Sequence, residues 1–87
     1  MELEFNDFEI DVLNNIPKIP CVYILMLDNE ARYVGQTNNL YHRINYGHLA
    51  KIFNRILFVK CPNKKLRLLI ENDLMEYIYP LYNHFSN

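Results

Sequence analysis

The sequence predicts one small domain of the mixed α/β (α+β) class, in which a three-stranded antiparallel sheet is flanked by helices. The chain has 87 residues, of which 51% are apolar and only two are glycine. A chain of this length buries roughly 60% of the surface that its unfolded form exposes, so it has room for one core of two layers. Its segments follow the order helix, strand, strand, helix, strand, helix. We therefore treat residues 1–87 as one domain, with an acidic N-terminal helix (1–16) and a core (17–83).

The first predicted element is the N-terminal helix. Four apolar residues recur there at helical spacing: Phe5, Phe8, Val12 and Ile16. Asn6 or Asp7 is available as the capping residue. The segment "IPKIP" ends this helix, because each proline favours extended geometry in the residue before it.

A β-hairpin follows. "CVYILML" is typical of a strand buried on both faces, "DNE" is a turn, and "ARYVGQ" is the returning strand. With a three-residue loop, Leu25 lies opposite Tyr33 and Tyr23 lies opposite Gly35. Because side chains alternate along a strand, this register puts both tyrosines on one face, with space above Gly35. A two-residue loop would put the tyrosines on opposite faces.

The second half of the chain predicts helix, strand and helix. Thr37 or Asn38 caps a helix that carries Leu40 and Ile44 on one face, and Gly47 ends it. "RILFVKC" is the third strand. Pro62 and Asn63 then begin a long helix, "KKLRLLIENDLMEYIY". Its predicted apolar stripe comprises Leu66, Leu69, Ile70, Leu74 and Ile78.

The distribution of charge favours a polyanionic partner, although the net charge is only −1. Residues 1–30 carry seven acids and one base, residues 31–70 carry eight bases and no acid, and residues 71–87 carry three acids. Forty residues without a carboxylate indicate nucleic acid or another polyanion. In the alternative interpretation, the acidic N-terminal part folds over the basic part and neutralises it.

Several classes of protein are disfavoured. No apolar run approaches the ~20 residues that span a bilayer, and the acidic start of the chain does not resemble a signal peptide. We therefore expect a cytoplasmic protein with no membrane association. Cys21 and Cys61 belong to no CxxC pair, and we expect both to be reduced. The three histidines lack the spacing of zinc ligands, so no structural zinc is expected.

Glu71 is the most informative residue of the last helix. It lies on the helix between Leu68 and Met75, at the predicted boundary of the core. Three interpretations remain open on this pattern. Glu71 is a metal ligand, a partly buried acid satisfied by backbone donors, or a partner of Arg67 in an i, i+4 pair worth a few tenths of a kcal/mol.

Taken together, separated motifs resemble the GIY-YIG nuclease domain. "CVY" is followed by "YVG", whose tyrosine comes ten residues after the first, and Arg43 comes ten residues further on. A glutamate within "LLIENDLM" and an asparagine within "YPLYN" complete the pattern, which extends from Ile16 to Asn83. Order and spacing are similar to those of the nuclease domain at the front of bacterial nucleotide-excision-repair endonucleases. The resemblance implies a DNA endonuclease that hydrolyses phosphodiester bonds with one Mg²⁺ or Mn²⁺ ion.

The resemblance also implies a role for each matching residue. Tyr23 would position the attacking water and Tyr33 would be the general base. Arg43 would neutralise the scissile phosphate, and Glu71 would bind the metal, weakly until DNA arrives. Asn83 would support the site by hydrogen bonding. A guanidinium and a metal suit the negative charge that develops during phosphodiester cleavage.

Two positions depart from the family pattern. Cys21 replaces the usual first glycine, and Gln36 follows Gly35 where some members carry a lysine. Gly35 supports the site by leaving room, and His42 or His48 is a candidate proton relay. The candidate nucleic-acid contacts are Gln36, Asn38, Lys51, Arg55, Lys64 and Lys65.

Two rival functions remain. The first is a non-catalytic nucleic-acid-binding module with the same fold. The second is a protein-interaction domain that uses the acidic N-terminal helix. For the nuclease itself, we expect a homodimer or a partner protein to supply specificity, or else relaxed specificity, because the chain has no room for an attached recognition domain.

Overall fold

The structure is a computed structural model that describes residues 6–9, 16–47 and 53–78. Its elements are β1 (Asn6–Glu9), β2 (Cys21–Leu27), β3 (Glu30–Thr37), α1 (Leu40–Gly47), β4 (Arg55–Lys60) and α2 (Lys64–Ile78). The strands form one sheet in the order β1-β4-β2-β3, and every neighbouring pair is antiparallel. The three predicted strands are therefore present as β2, β3 and β4, with two helices after β3 and β4. None of the described helices is long and apolar enough to cross a membrane.

The predicted N-terminal helix is wrong at residues 6–9, where the chain forms strand β1. This strand pairs with β4, so that Asn6 lies opposite Phe58 and Glu9 lies opposite Arg55. Over so short a segment, "DFEI" alternates as well as it follows a helical period, and the edge of β4 supplies main-chain partners. The rest of the predicted helix before Ile16 lies outside the described residues. The rival function, a protein-interaction domain that uses the acidic N-terminal helix, therefore has no helix to use at residues 6–9.

The β2–β3 hairpin reaches the predicted register by a different route. Its turn has two residues, Asp28 and Asn29, so that Leu27 pairs with Glu30. Asp28 has a positive φ of 56°, which suits the first central position of a tight hairpin turn. A β-bulge then inserts Arg32 and shifts the register by one residue. The predicted loop length is therefore wrong, but the bulge restores the predicted pairing of Tyr23 with Gly35.

The sheet separates two groups of buried side chains. On one face, Tyr23 and Leu25 of β2 pack with Leu40 and Ile44 of α1. The largest buried side chains of that face are completely inaccessible to solvent. On the other face, Val22 packs with Cys61 and with Ile70 of α2. Both cysteines are free and buried.

Helix α1 is fixed at its N-terminus, which determines where Arg43 lies. Asn39 is the capping residue, since its Oδ1 accepts from the N–H of His42 at 3.0 Å. The predicted cap at Thr37 or Asn38 is therefore wrong, although Thr37 Oγ1 accepts from the N–H of Asn39 at 3.1 Å and so shapes the turn. The N–H of Leu40 also donates to the carbonyl of Ile19 at 3.0 Å, which ties α1 to the segment before β2.

Helix α2 packs against β3 and β2 through a narrower face than predicted. Asn63 caps it by accepting from the N–H of Leu66 at 3.0 Å. Leu66 and Leu69 are 37% and 62% exposed, so the predicted apolar stripe is wrong at these two residues. The buried residues are Arg67 and Ile70, which are 5% and 3% exposed. Arg67 and Ile70 are three residues apart, so the inner face of α2 carries an arginine rather than a leucine in the first turns of the helix.

Candidate active site

Tyr23 and Tyr33 meet above Gly35 on the face of the sheet that α1 covers. Their ring centroids are 6.1 Å apart, with an angle of 34° between the ring planes. A Cβ atom at Gly35 would lie 2.6 Å from the hydroxyl oxygen of Tyr23 and 2.8 Å from Cε2 of Tyr33. Glycine is therefore required here because both rings occupy the space of a side chain. Tyr23 is completely buried, whereas Tyr33 is partly exposed.

Arg43 reaches these tyrosines from α1. Its guanidinium donates a hydrogen bond to the phenolic oxygen of Tyr23. The hydroxyl of Tyr23 also hydrogen bonds to Tyr33, and this bond lowers the pKa of Tyr33. The three side chains therefore form a hydrogen-bond chain that begins at a cation, and such chains polarise each of their members.

Glu71 approaches the same place from α2. Strand β3 lies at the edge of the sheet, so one side of its backbone has no strand beside it among the described residues. The backbone N–H of Gln36 in β3 donates to the Glu71 carboxylate. Glu71 is half-buried, and it is near enough to Tyr33 for its charge to affect that phenol. The sheet edge thus brings together side chains from β2, β3, α1 and α2.

The pKa values at this site follow from burial and from two opposite charges. Burial is the main cause that raises the pKa of Tyr23, Tyr33 and Glu71 above their ordinary values. The Glu71 carboxylate raises the pKa of Tyr33 further. Arg43 opposes these effects, since its charge lowers the pKa of all three groups. Without a further cation, both phenols are held in the protonated form.

A comparison with known protein families identifies the family to which this domain belongs. The GIY-YIG catalytic domain family matches residues 19–78, more than half of the chain. The chain belongs to the GIY-YIG family. Among curated proteins, none matches the chain significantly.

The GIY-YIG fold is also present in solved structures that resemble this one. The N-terminal GIY-YIG endonuclease domain of UvrC from Thermotoga maritima, bound to magnesium, aligns with a TM-score of 0.66 and 16% identity. The alignment covers 80% of this chain and 89% of that one. An asparagine-to-alanine mutant of the same domain, bound to its catalytic divalent cation, has the same TM-score, 19% identity, and coverage of 80% and 88%. At such low identity, the likeness shows the fold.

The donor set of the GIY-YIG site fits one hard divalent cation. Within the described part of the chain, no group of three or more His, Cys, Asp or Glu side chains is placed to hold a metal. Glu71 offers a half-buried carboxylate whose ionised form is disfavoured by burial, and a cation beside it would favour that form. Mg²⁺ often uses one or two protein carboxylates and takes its other ligands from water and substrate phosphate. Glu71 is therefore the residue that would hold the ion.

The other predicted site residues lie at several places in the fold. Gln36 and Asn38 line a cavity together with Lys64 at the start of α2, whereas Lys65 is exposed on the same turn. Arg55 lies near the hairpin turn, where its Nη1 donates to the carbonyl of Asp28 at 3.3 Å. His42 is exposed on α1, and its ring lies 4.7 Å from that of Tyr46. The remaining three, His48, Lys51 and Asn83, lie outside the described residues.

Arg67 is the residue that the sequence analysis missed. The sequence pattern suggests it only as an i, i+4 partner of Glu71, but no ion pair joins the two within the described residues. Instead, its Nε donates to Oε1 of Gln36 at 3.0 Å, and its Nη1 donates to the carbonyls of Cys61 and Pro62, each at 3.0 Å. Its spacing along the helix is the sequence feature that indicates burial, because Arg67 precedes Ile70 by three residues and Leu74 by seven.

Proposed function

We propose that this chain is a divalent-metal-dependent DNA endonuclease that hydrolyses phosphodiester bonds. The observation that supports this best is the convergence of Tyr23, Tyr33, Arg43 and Glu71 at the edge strand β3. A half-buried carboxylate for a cation, a guanidinium for phosphate and a partly exposed phenol for water are the groups that such hydrolysis requires. Membership of the GIY-YIG family agrees with this chemistry.

The two tyrosines take different roles in this proposal. Tyr33 is the general base, because its partly exposed side chain can meet water. Tyr23 is completely buried and its hydrogen bond to Tyr33 lowers the pKa of Tyr33, so it acts as a positioning residue that favours the Tyr33 phenolate. Arg43 supports both, because its charge lowers the pKa of each phenol. An ordinary tyrosine has a pKa of about 10, so this support matters near neutral pH.

Hydrolysis then proceeds at a phosphate held by Arg43. The phenolate of Tyr33 accepts a proton from a water molecule, and the oxygen of that water forms a bond to phosphorus. The bond from phosphorus to the departing oxygen breaks, and that oxygen takes a proton from solvent. Arg43 stabilises the charge on the non-bridging oxygens. A divalent ion on Glu71 would stabilise the same charge and would offset the effect of the carboxylate on Tyr33.

A plasmid-nicking assay with Mg²⁺ or Mn²⁺ tests the proposal. The wild-type protein should convert supercoiled DNA to the open-circular form, and EDTA should abolish this conversion. Glu71→Ala removes the metal ligand and should slow cleavage by at least about 100-fold, the order of loss for one charge-stabilising group. The matched control is Glu76→Ala, which removes an exposed glutamate five residues further along α2 and should cleave at the wild-type rate.

Two results would contradict the proposal. If the wild type binds DNA but cleaves it with neither metal, the chain is a non-catalytic nucleic-acid-binding module. If Glu71→Ala cleaves as fast as Glu76→Ala, the hydrolysis does not use Glu71. Salt dependence of binding identifies the first case, because phosphate contacts make affinity fall as salt concentration rises.

A further inference from the structure

A basic cavity lies next to the candidate active site. Its volume is about 210 Å³, and its lining residues are Gln36, Thr37, Asn38, Arg43, Lys64 and Arg67. Three of these carry a positive charge and none carries a negative charge. Arg43 is shared with the active site, so the cavity adjoins the place where the scissile phosphate is proposed to lie.

The guanidinium of Arg67 is built into the wall of this cavity. It is 5% exposed, and its hydrogen-bond partners on Gln36, Cys61 and Pro62 are neutral oxygens. A buried cation normally has a negative partner, because desolvation of an uncompensated charge is costly. Within the described residues, Arg67 has no carboxylate partner. Its geometry is therefore fixed while its charge remains available to an anion in the cavity.

The start of α2 adds to the positive potential. Lys64 lies in the first turn of this 15-residue helix, where the helix dipole favours negative charge. The volume corresponds to roughly seven water molecules at about 30 Å³ each. A phosphate group with some of its hydration water fits that space.

We propose that this cavity binds a second phosphate of the substrate strand, adjacent to the one that is cleaved. Lys64 and Arg67 supply the charge, and the polar side chains at the end of β3 supply the shape. The assignment rests on the proposed function for the identity of the strand, since free phosphate has the same chemistry. Arg67 thus brings a cation beside Gln36, the position at which some members of the family carry a lysine.

Titration with inorganic phosphate tests the cavity directly. In NMR spectra of the ¹⁵N-labelled chain at constant ionic strength, the amides of residues 36–38 and 64–67 should shift. Lys64→Ala should weaken phosphate binding by about three- to fivefold, as expected for an exposed ion pair. Lys60→Ala removes the same charge from the same end of the sheet, outside the cavity lining, and should change binding less than twofold. Equal losses in the two variants would overturn the proposal.

A second measurement connects the cavity to DNA. The affinity for a labelled duplex, measured by fluorescence anisotropy in EDTA, should fall with salt concentration. The slope of log K against log salt should be smaller by about 0.9 in Lys64→Ala, because one phosphate contact is lost. An unchanged slope in Lys64→Ala would assign the cavity to free phosphate and overturn the strand assignment.

A third variant tests the geometry of Arg67. Arg67→Lys retains the charge but not the fork of donors; it should remain folded and bind phosphate more weakly than the wild type.

The phosphate-site proposal and the nuclease proposal can fail separately, and each failure gives a different experimental result. If the wild type does not cleave DNA but Lys64→Ala and Lys60→Ala still differ in phosphate binding, the phosphate site stands and the nuclease proposal fails. If the wild type cleaves DNA and the two lysine variants do not differ, the nuclease proposal stands and the phosphate site fails.

Discussion

Tyr23 and Tyr33 carry the same phenol, but their different burial separates what each can do. Tyr23 is inaccessible to solvent and lies between the Arg43 guanidinium and Tyr33. Tyr33 is partly exposed and shares with Tyr23 a hydrogen bond that lowers the pKa of Tyr33. A proton taken from water must therefore arrive at Tyr33, while Tyr23 determines how easily Tyr33 gives up its own proton.

This division predicts different kinetics for two conservative variants. Tyr33→Phe removes the general base and should slow cleavage by about 10²–10⁴-fold. Tyr23→Phe removes the hydroxyl that hydrogen bonds to Arg43 and to Tyr33 but keeps the base, and should slow cleavage by about two- to tenfold. Because the hydrogen bond to Tyr33 lowers the pKa of Tyr33, the rising limb of the pH–rate profile should move to higher pH in Tyr23→Phe. A merely structural role for Tyr23 would reduce the rate without moving the limb, and equal losses in both variants would contradict the division.

Among the elements, the β2–β3 hairpin has the strictest steric requirement. Two rings lie over the backbone of Gly35, and one of them is completely buried. The sequence predicted the shared face of the tyrosines from strand alternation and from an assumed loop length. It could not predict the bulge at Arg32, because no sequence feature separates a three-residue loop from a two-residue turn followed by a bulge. Both arrangements place Tyr33 beside Tyr23, so the prediction at the site is correct despite the wrong loop.

The requirement at Gly35 predicts a loss of stability on adding one methyl group. Replacing glycine by alanine within a strand ordinarily stabilises by about 0.5–1 kcal/mol. At Gly35 the new Cβ would lie 2.6–2.8 Å from both tyrosine side chains, so Gly35→Ala should instead destabilise by about 1–3 kcal/mol. Urea denaturation measures the difference. In the double variant with Tyr23→Phe, which removes the nearest oxygen, part of the loss should be recovered.

The chain contains a matched control for this substitution. Gly47, the other glycine, ends α1 and has no positive φ. A Cβ atom there would lie 3.1 Å from Cδ of Arg43, an exposed and flexible side chain that can move. Gly47→Ala should therefore leave the free energy of unfolding nearly unchanged. A similar loss in both glycine variants would show that crowding by the tyrosines is not the cause.

At the scale of the whole molecule, the sequence predicted the order of elements better than the identity of every buried residue. Strands β2, β3 and β4 and the two helices after them carry strong periodic patterns, and these were correctly assigned. Residues 6–9 were not, because this short strand takes its stability from the edge of β4 rather than from its own pattern. Arg67 was missed for a related reason: its burial depends on oxygens of Gln36, Cys61 and Pro62 that only the folded chain brings together.

The half-buried carboxylate of Glu71 at the edge of the sheet should reduce the stability of the whole fold. Burial raises the pKa of Glu71 above its ordinary value of 4.5. Below both pKa values the carboxyl group is neutral in the folded and unfolded states. As the pH rises through 4.5, the unfolded state loses the proton more readily, so the group lowers the free energy of unfolding. Sites that hold unfavourable charges for function commonly lower stability in this way.

Glu71→Gln should therefore unfold at a higher temperature than the wild type at pH 7 in EDTA, although it should not cleave DNA. The difference between the two melting temperatures should shrink as the pH falls towards 4.5, because the wild-type carboxyl group then becomes neutral. Glu76→Gln, at an exposed position of the same helix, should show a smaller difference at pH 7.

Mg²⁺ should raise the melting temperature of the wild type but not that of Glu71→Gln, since a ligand stabilises only a protein that binds it. A Glu71→Gln protein that is less stable than the wild type at pH 7 would mean that the Glu71 carboxylate is held mainly by structural hydrogen bonds.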